Sequence, residues 1–196
     1  WDCMLDDDMG VAYIRVGSFQ ENTVEQLRGK IEEVLERGAR GLILDLRFNP
    51  GGLLKSAVEM CQLFLTHNDH PIVSTEGLRD ERWSNPRTRH DGPFTDLPLI
   101  VLVNEYSASA SEIVSGALQD HHRAVIMGDR TFGKFSVQKL IRLGGSETHL
   151  KLTTARYYLP SGRSLHHEEG ATEWGVMPDV AIKRVPKELI KVQMMW

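Results

Sequence analysis

The residues that could do chemistry are concentrated in positions 107–138. Ser107-Ala108-Ser109-Ala110-Ser111-Glu112-Ile113 sets small hydroxyl residues where an apolar run gives way to helical spacing. Downstream, Thr131-Phe132-Gly133-Lys134-Phe135 delivers one lysine from a glycine-marked turn. A serine at a helix start and a lysine held among apolar residues are the minimum set for Ser/Lys nucleophilic catalysis, so hydrolysis of an acyl bond is the leading expectation. An exposed lysine, with a pKa near ~10.4, is no base at neutral pH. Burial disfavours the ammonium and can bring a lysine towards roughly 7–8, where it can take a hydroxyl proton. Phe132 and Phe135 can supply that apolar setting, and Gly133 permits a turn that aims the side chain inward.

Each residue also has a plainer account. Ser109 and Glu112 fit the Ser-x-x-Glu capping box, so Ser109 can simply cap a helix carrying Ile113, Val114, Ala117 and Leu118 on one face. Lys134 can be a surface lysine on a loop. A cap position is also where backbone N–H groups converge on negative charge, so cap and nucleophile are compatible.

These blocks resemble the carboxyl-terminal processing peptidases, or tail-specific proteases, which are serine endopeptidases with a Ser/Lys dyad. The resemblance implies Ser109 as nucleophile, Lys134 as general base and Gln138 as the supporting glutamine four residues on. Three further blocks agree in order along nearly the whole chain. Gly41-Leu42-Ile43-Leu44-Asp45-Leu46-Arg47-Phe48-Asn49-Pro50-Gly51-Gly52 is similar to the family's strand and glycine turn. Thr153-Thr154-Ala155-Arg156-Tyr157-Tyr158-Leu159-Pro160-Ser161-Gly162-Arg163 resembles its substrate-side strand, and Gly175-Val176-Met177-Pro178-Asp179 its closing motif.

A serine nucleophile needs an oxyanion hole, usually two backbone donors, and losing one commonly costs about 10²–10³ in rate. One donor is expected to be the Ala110 N–H, directly after the nucleophile. The resemblance draws the other from Gly51 or Gly52, where glycine lets the backbone approach the substrate. An ordinary strand-to-helix turn is the competing account, and the sequence does not choose between the two glycines. Gln138 raises a geometric question, because four residues of extended strand span roughly 13 Å. Lys134 must therefore sit in a turn before the strand, or a bend must bring Gln138 to it. Asp120 ends the Ser109 helix and reads as a support or cap. Where the family usually has glycine after the lysine, this chain has Phe135, which either tightens the lysine pocket or displaces Lys134.

The surrounding elements read as α/β: strands at residues 11–16, 41–46 and 98–104, a helix opened by Thr23 with Gln26 and ended by Gly38, and a helix carrying Leu54, Val58, Cys61 and Leu65. A further strand is expected at residues 72–75, a polar loop or short hairpin at 78–97, and β-rich segments at 137–143 and 149–159. Alternating strands and helices call for a sheet with packed helices. The resemblance sharpens this to a crotonase/Clp-protease-like βαβ spiral core with additional β-rich C-terminal segments. Residues 1–196 are expected to form a single peptidase core domain, with the family's PDZ domain and N-terminal helical regions outside this chain.

Charged residues make up 26% of the chain and the net charge is −4, which argues against electrostatic nucleic-acid binding. No apolar run reaches the length of a membrane span, and no signal peptide is expected in the first residues. Cys3 and Cys61 are too few for a disulfide framework, and Cys61 reads as a packed thiol. No cofactor is expected. His121-His122 and His166-His167-Glu168-Glu169 lack zinc spacing, so no metal site is expected and they read as solvated polar loops. A Ser/His mechanism is disfavoured, since the helix between holds Ser109 and His121 roughly 18 Å apart.

Three readings follow. The first is a serine endopeptidase acting on a polypeptide substrate near unfolded or apolar C-terminal tails, extracytoplasmic by resemblance, with a PDZ domain as partner. The second is a non-catalytic binding module on the same fold, which Phe135 keeps open. The third is a crotonase-type acyl-thioester enzyme, which needs no serine nucleophile.

Overall fold

The structure, a computed structural model, describes residues 2–6, 8–68, 70–77, 82–84, 86–144 and 148–182. The chain opens with strands β1 (Asp2–Asp6) and β2 (Val11–Arg15), then helix α1 (Thr23–Glu36), β3 (Gly41–Asp45) and α2 (Leu54–Phe64). A short pair follows, β4 (Ser74–Gly77) and β5 (Arg82–Ser84), and then β6 (Leu99–Val103), α3 (Ala110–Asp120) and β7 (Val125–Gly128). It closes with β8 (Ser136–Arg142), β9 (His149–Tyr158) and β10 (Val180–Ala181).

The strands form two sheets. The larger runs β1-β2-β3-β6-β7-β10, parallel from β2 to β10, with β1 antiparallel at its edge. The smaller runs β5-β4-β9-β8 and is antiparallel throughout. Apolar β-branched and leucine residues explain the parallel strands. Leu42 and Leu44 of β3 and Leu99, Val101 and Val103 of β6 are buried, facing a core shared with Ile31 of α1, Met60 and Phe64 of α2 and Ile113 and Leu118 of α3. Each such side chain stabilises the fold by about 1.5–3 kcal/mol on full burial.

The α/β expectation with a parallel sheet and β-rich C-terminal segments holds. Several local expectations do not. β1, β7 and β10 were not foreseen, because none carries an apolar period long enough to read. The strand expected at residues 72–75 begins at Ser74, and Ile72 and Val73 enter the core as an irregular segment. Thr23 lies inside α1 behind the N-cap Asn22; its hydroxyl donates to Ser18 O and accepts from Gln20 N, so no box with Gln26 forms. Leu65 caps α2 instead of extending its stripe. The polar segment 78–97 contains β5, which pairs with β4 just before it, with 78–81 and 85 outside the described residues. Cys61 is a packed thiol as expected, and burial pushes it up to about 12. No helix among the described residues is long and apolar enough to cross a membrane.

The consequence for function lies at one end of the larger sheet. Open parallel sheets bind ligands beyond the carboxyl ends of their strands. Beyond β3 comes the Gly51-Gly52 turn, and beyond β6 comes the loop to Ser109.

Candidate active site

Ser109 sits at the N-cap of α3 with φ 57° and ψ −112°. A serine held there is strained by roughly 1–3 kcal/mol and persists only when its surroundings enforce it. The flanking serines supply much of that enforcement. Ser107 is fully buried, and its hydroxyl donates to Leu46 O at 2.8 Å and accepts from Asn104 N at 3.0 Å. Ser111 is also fully buried, its hydroxyl donating to Asn49 O at 2.9 Å. Both outer hydroxyls of the Ser-Ala-Ser-Ala-Ser run are therefore spent on the scaffold. Only the middle serine stands at a forced turn.

Asn49 ties the glycine turn to this loop. Its side-chain N–H donates to Val16 O, and its main-chain carbonyl accepts the Ala108 N–H at 3.0 Å. Its side-chain oxygen accepts the Gly51 N–H at 2.9 Å. Gly51 lies directly against the serine: a Cβ there would meet Ala108 O at 2.6 Å, Ser109 Cβ at 2.7 Å and Ala110 N at 2.9 Å. With φ at 100° and 149°, Gly51 and Gly52 adopt backbone that other residues rarely tolerate. The Gly51 N–H is engaged, whereas neither the Gly52 nor the Ala110 N–H has an acceptor among the described residues. Two free amides thus flank the serine's turn.

The lysine arrives on the loop between β7 and β8, clasped by one carboxylate. Glu112, fully buried in the first turn of α3, accepts Ser109 N–H and Lys134 N–H on Oε2, each at 2.8 Å. Its Oε1 accepts Gly133 N–H and the Thr131 hydroxyl, each at 2.6 Å. Burial pushes this carboxyl above its ordinary range, and the hydrogen bonds oppose that rise. A second tie joins the loops, Phe132 N–H donating to Ser107 O at 3.0 Å. Lys134 is half-buried. The Phe135 ring is buried in the core, so the bulk after the lysine anchors the loop, while Phe132 is exposed.

Residues 10–182 match the model of peptidase family S41. The chain belongs to peptidase family S41. It is 43% identical over 189 residues to the carboxy-terminal-processing protease of Bartonella bacilliformis, covering 92% of this chain and 41% of that protein. It is 36% identical over 184 residues to the carboxyl-terminal-processing protease of Synechocystis, covering 92% of this chain and 40% of that protein. Among solved structures, the photosystem II D1 C-terminal processing protease superposes with a TM-score of 0.78 at 31% identity, covering 88% of this chain and 42% of that one. The chain spans about two fifths of the length of these relatives.

Within this S41 chain, Lys134 lies in the loop before β8, and the ladder of β8 with β9 shifts register between Val137 and Gln138. Gln138 directly follows that shift with its side chain exposed, and no hydrogen bond joins it to Lys134 among the described residues. Asp120 ends α3 and accepts from Ser161 N at 2.9 Å and from Arg163 at 2.7 Å, a supporting role well away from the serine. His121 caps the far end of α3, with its ring on Pro71 O. His121 and His166 are not solvated loop residues; His166 packs on the lysine loop. No cluster of metal-ligating residues occurs among the described residues.

Sequence reasoning missed the clasp. Glu112 was visible only as a capping residue, and that local pattern says nothing of donors 19 to 22 positions downstream. Asn49, Thr131 and His166 carried no signal beyond membership of recognisable blocks.

Proposed function

We propose that this chain is the peptidase core of a serine endopeptidase in which Ser109 is the nucleophile and Lys134 the general base. The observation that carries this reading is Glu112 Oε2 accepting both the Ser109 and the Lys134 N–H, beside the two free amides of Gly52 and Ala110. Lys134 Nζ takes the Ser109 Oγ proton as Oγ attacks the substrate carbonyl. The tetrahedral oxyanion accepts from Gly52 and Ala110, since Gly51 N–H is already engaged with Asn49. Lys134 then returns the proton to the leaving amine, and a water attacks the acyl-enzyme with Lys134 again as base. Gln138, just past the β8 bulge, is proposed to orient the Lys134 side chain. The proposed substrate is a polypeptide with an unfolded or apolar C-terminal tail, presented by a PDZ domain outside this chain in an extracytoplasmic compartment; family resemblance supports these points.

The test is cleavage of an unfolded, apolar-tailed polypeptide by the parent chain, Ser109→Ala and Lys134→Ala. Both substitutions are expected to lower turnover by at least ~10³-fold. Turnover that survives Ser109→Ala would favour the acyl-thioester reading. A parent chain that neither cleaves nor reacts with a serine-directed acylating probe would favour a binding module.

A further inference from the structure

The two peptide planes that flank Lys134 meet a single imidazole nitrogen. His166 Nδ1 lies 3.3 Å from Phe135 N, which belongs to the plane after Lys134. It also lies 3.2 Å from Gly133 O, which belongs to the plane before it. The tilt of those planes is the φ and ψ of Lys134, and together they set where its side chain points. We propose that His166 is a positioning residue for Lys134, holding the lysine turn in one arrangement when its imidazole is neutral and another when it is protonated. The proposal rests on the Ser109/Lys134 reading above.

Nδ1 can serve only one of its two neighbours at a time. As a lone pair it accepts the Phe135 N–H and faces the Gly133 carbonyl without a proton between them. As N–H it donates to Gly133 O and leaves Phe135 N–H with no acceptor. A neutral ring can choose either tautomer, but the imidazolium has only the second arrangement. Gly133 O already accepts the His167 N–H at 2.8 Å, so it does not need His166, whereas Phe135 N–H has no other acceptor among the described residues. The neutral ring that accepts from Phe135 therefore satisfies more of the turn.

The turn is stiff enough to transmit this choice. A Cβ on Gly133 would meet His167 Cβ at 2.8 Å and Trp174 Cδ1 at 2.9 Å. Behind Phe135, its carbonyl accepts Tyr157 N–H of β9 at 3.0 Å. The other charged groups around the turn are accounted for. Glu112 holds the Gly133 and Lys134 N–H groups from α3. The His167 ring stacks on Trp174 at 4.4 Å, and the Arg130 guanidinium lies 4.1 Å from that ring. Arg156 of β9 pairs with Glu168, and Glu169 is exposed. None of these bonds the Phe135 N–H. Among the described residues at the turn, Glu112 and Lys134 itself are the other groups whose titration would also change turnover.

An asparagine in place of His166 would not titrate, yet it can present an amide oxygen near the Nδ1 position. The test therefore compares His166→Asn, His166→Ala and the parent. Steady-state cleavage is followed against pH, and the His166 Cε1–H signal is followed by NMR over the same range. Lys134, as the proposed general base, gives kcat an acid limb of its own, and in the parent a further, steeper fall is expected at the pH where that signal moves. His166→Asn is expected to keep kcat within about threefold at neutral pH and to lose that further fall, keeping the limb set by Lys134. His166→Ala is expected to lower kcat by at least ~tenfold at every pH with KM unchanged, as misplacing a reacting group does. A further fall that persists unchanged in His166→Asn would assign it to Glu112 or another group and overturn the proposal, as would wild-type kcat in His166→Ala. Should the parent chain not react with a serine-directed acylating probe, the Ser/Lys reading itself fails. The Phe135 amide resonance then decides the His166 contact alone: a shift that follows the His166 titration supports it, and one independent of it refutes it.

Discussion

Glu112 gives the site its geometry at the residue scale, because one side chain fixes the backbone on both sides of the proposed proton transfer. Four donors converge on two oxygens, an arrangement suited to an ionised carboxylate and poorly suited to an amide. In Glu112→Gln the new NH₂ must face either Ser109 and Lys134 N–H or Gly133 N–H and Thr131, and each donor left unpaired costs about 1–3 kcal/mol. We expect Glu112→Gln to lose at least ~10²-fold in kcat, with loss of stability that urea denaturation would register. The pH dependence follows from the direction of the shift. Burial raises the folded carboxyl above its unfolded value, so the folded state holds the proton more tightly. Ionising it therefore removes stability as pH rises from the ordinary carboxyl range, near ~4.3, through the raised folded value. Glu112→Gln lacks that dependence. The stability gap between parent and variant is expected to narrow as pH rises across that window, and a gap independent of pH would refute the assignment.

At the scale of elements, the junction of β6 with α3 stores strain in one residue and distributes its support over three others. Ser107 bonds to Leu46 O, Ser111 to Asn49 O, and Ala108 N–H to the same Asn49 carbonyl, so the loop cannot relax Ser109 without breaking buried bonds. Glycine adopts φ 57°, ψ −112° freely. Ser109→Gly is therefore expected to be more stable than Ser109→Ala by about 1 kcal/mol, and both to be inactive. Equal melting temperatures would show that the turn is not strained. This junction was legible in the sequence because a short apolar run, a small-residue loop and an amphipathic helix follow one another. The Gly51-Gly52 turn was legible too, but not which amide stays free; that depends on the Asn49 side chain folding back two residues. β7 and β10 were illegible because their four and two residues are specified by neighbours in the sheet and not by their own pattern.

Across the whole molecule, the serine belongs to the larger sheet and the lysine to the loop leading into the smaller one, so their alignment depends on how the two sheets dock. The clasp at Glu112 holds the near end of α3. Its far end is held by Asp120, which accepts from Arg163 and Ser161 just beyond β9, while Arg163 also donates to Gln119. Midway, a Cβ on Gly116 would come within 2.5 Å of a Leu159 methyl, so helix and strand-end pack without a gap. Asp120 touches neither proposed catalytic residue, yet it fixes the segment on which β9, and through it β8 and the lysine loop, is seated. Asp120→Ala leaves the Arg163 guanidinium short of a carboxylate and the Ser161 N–H without its acceptor, a loss of roughly 1–3 kcal/mol. We expect a lower melting temperature together with a fall in kcat, whereas Ser109→Ala should abolish turnover with the melting temperature nearly unchanged. The two effects of Asp120→Ala should also separate: a second-site change that restores stability elsewhere in the core should recover the melting temperature but not kcat. If such a change restored both, Asp120 would be acting on stability alone, and the docking of the smaller sheet would have no part in aligning Lys134 with Ser109.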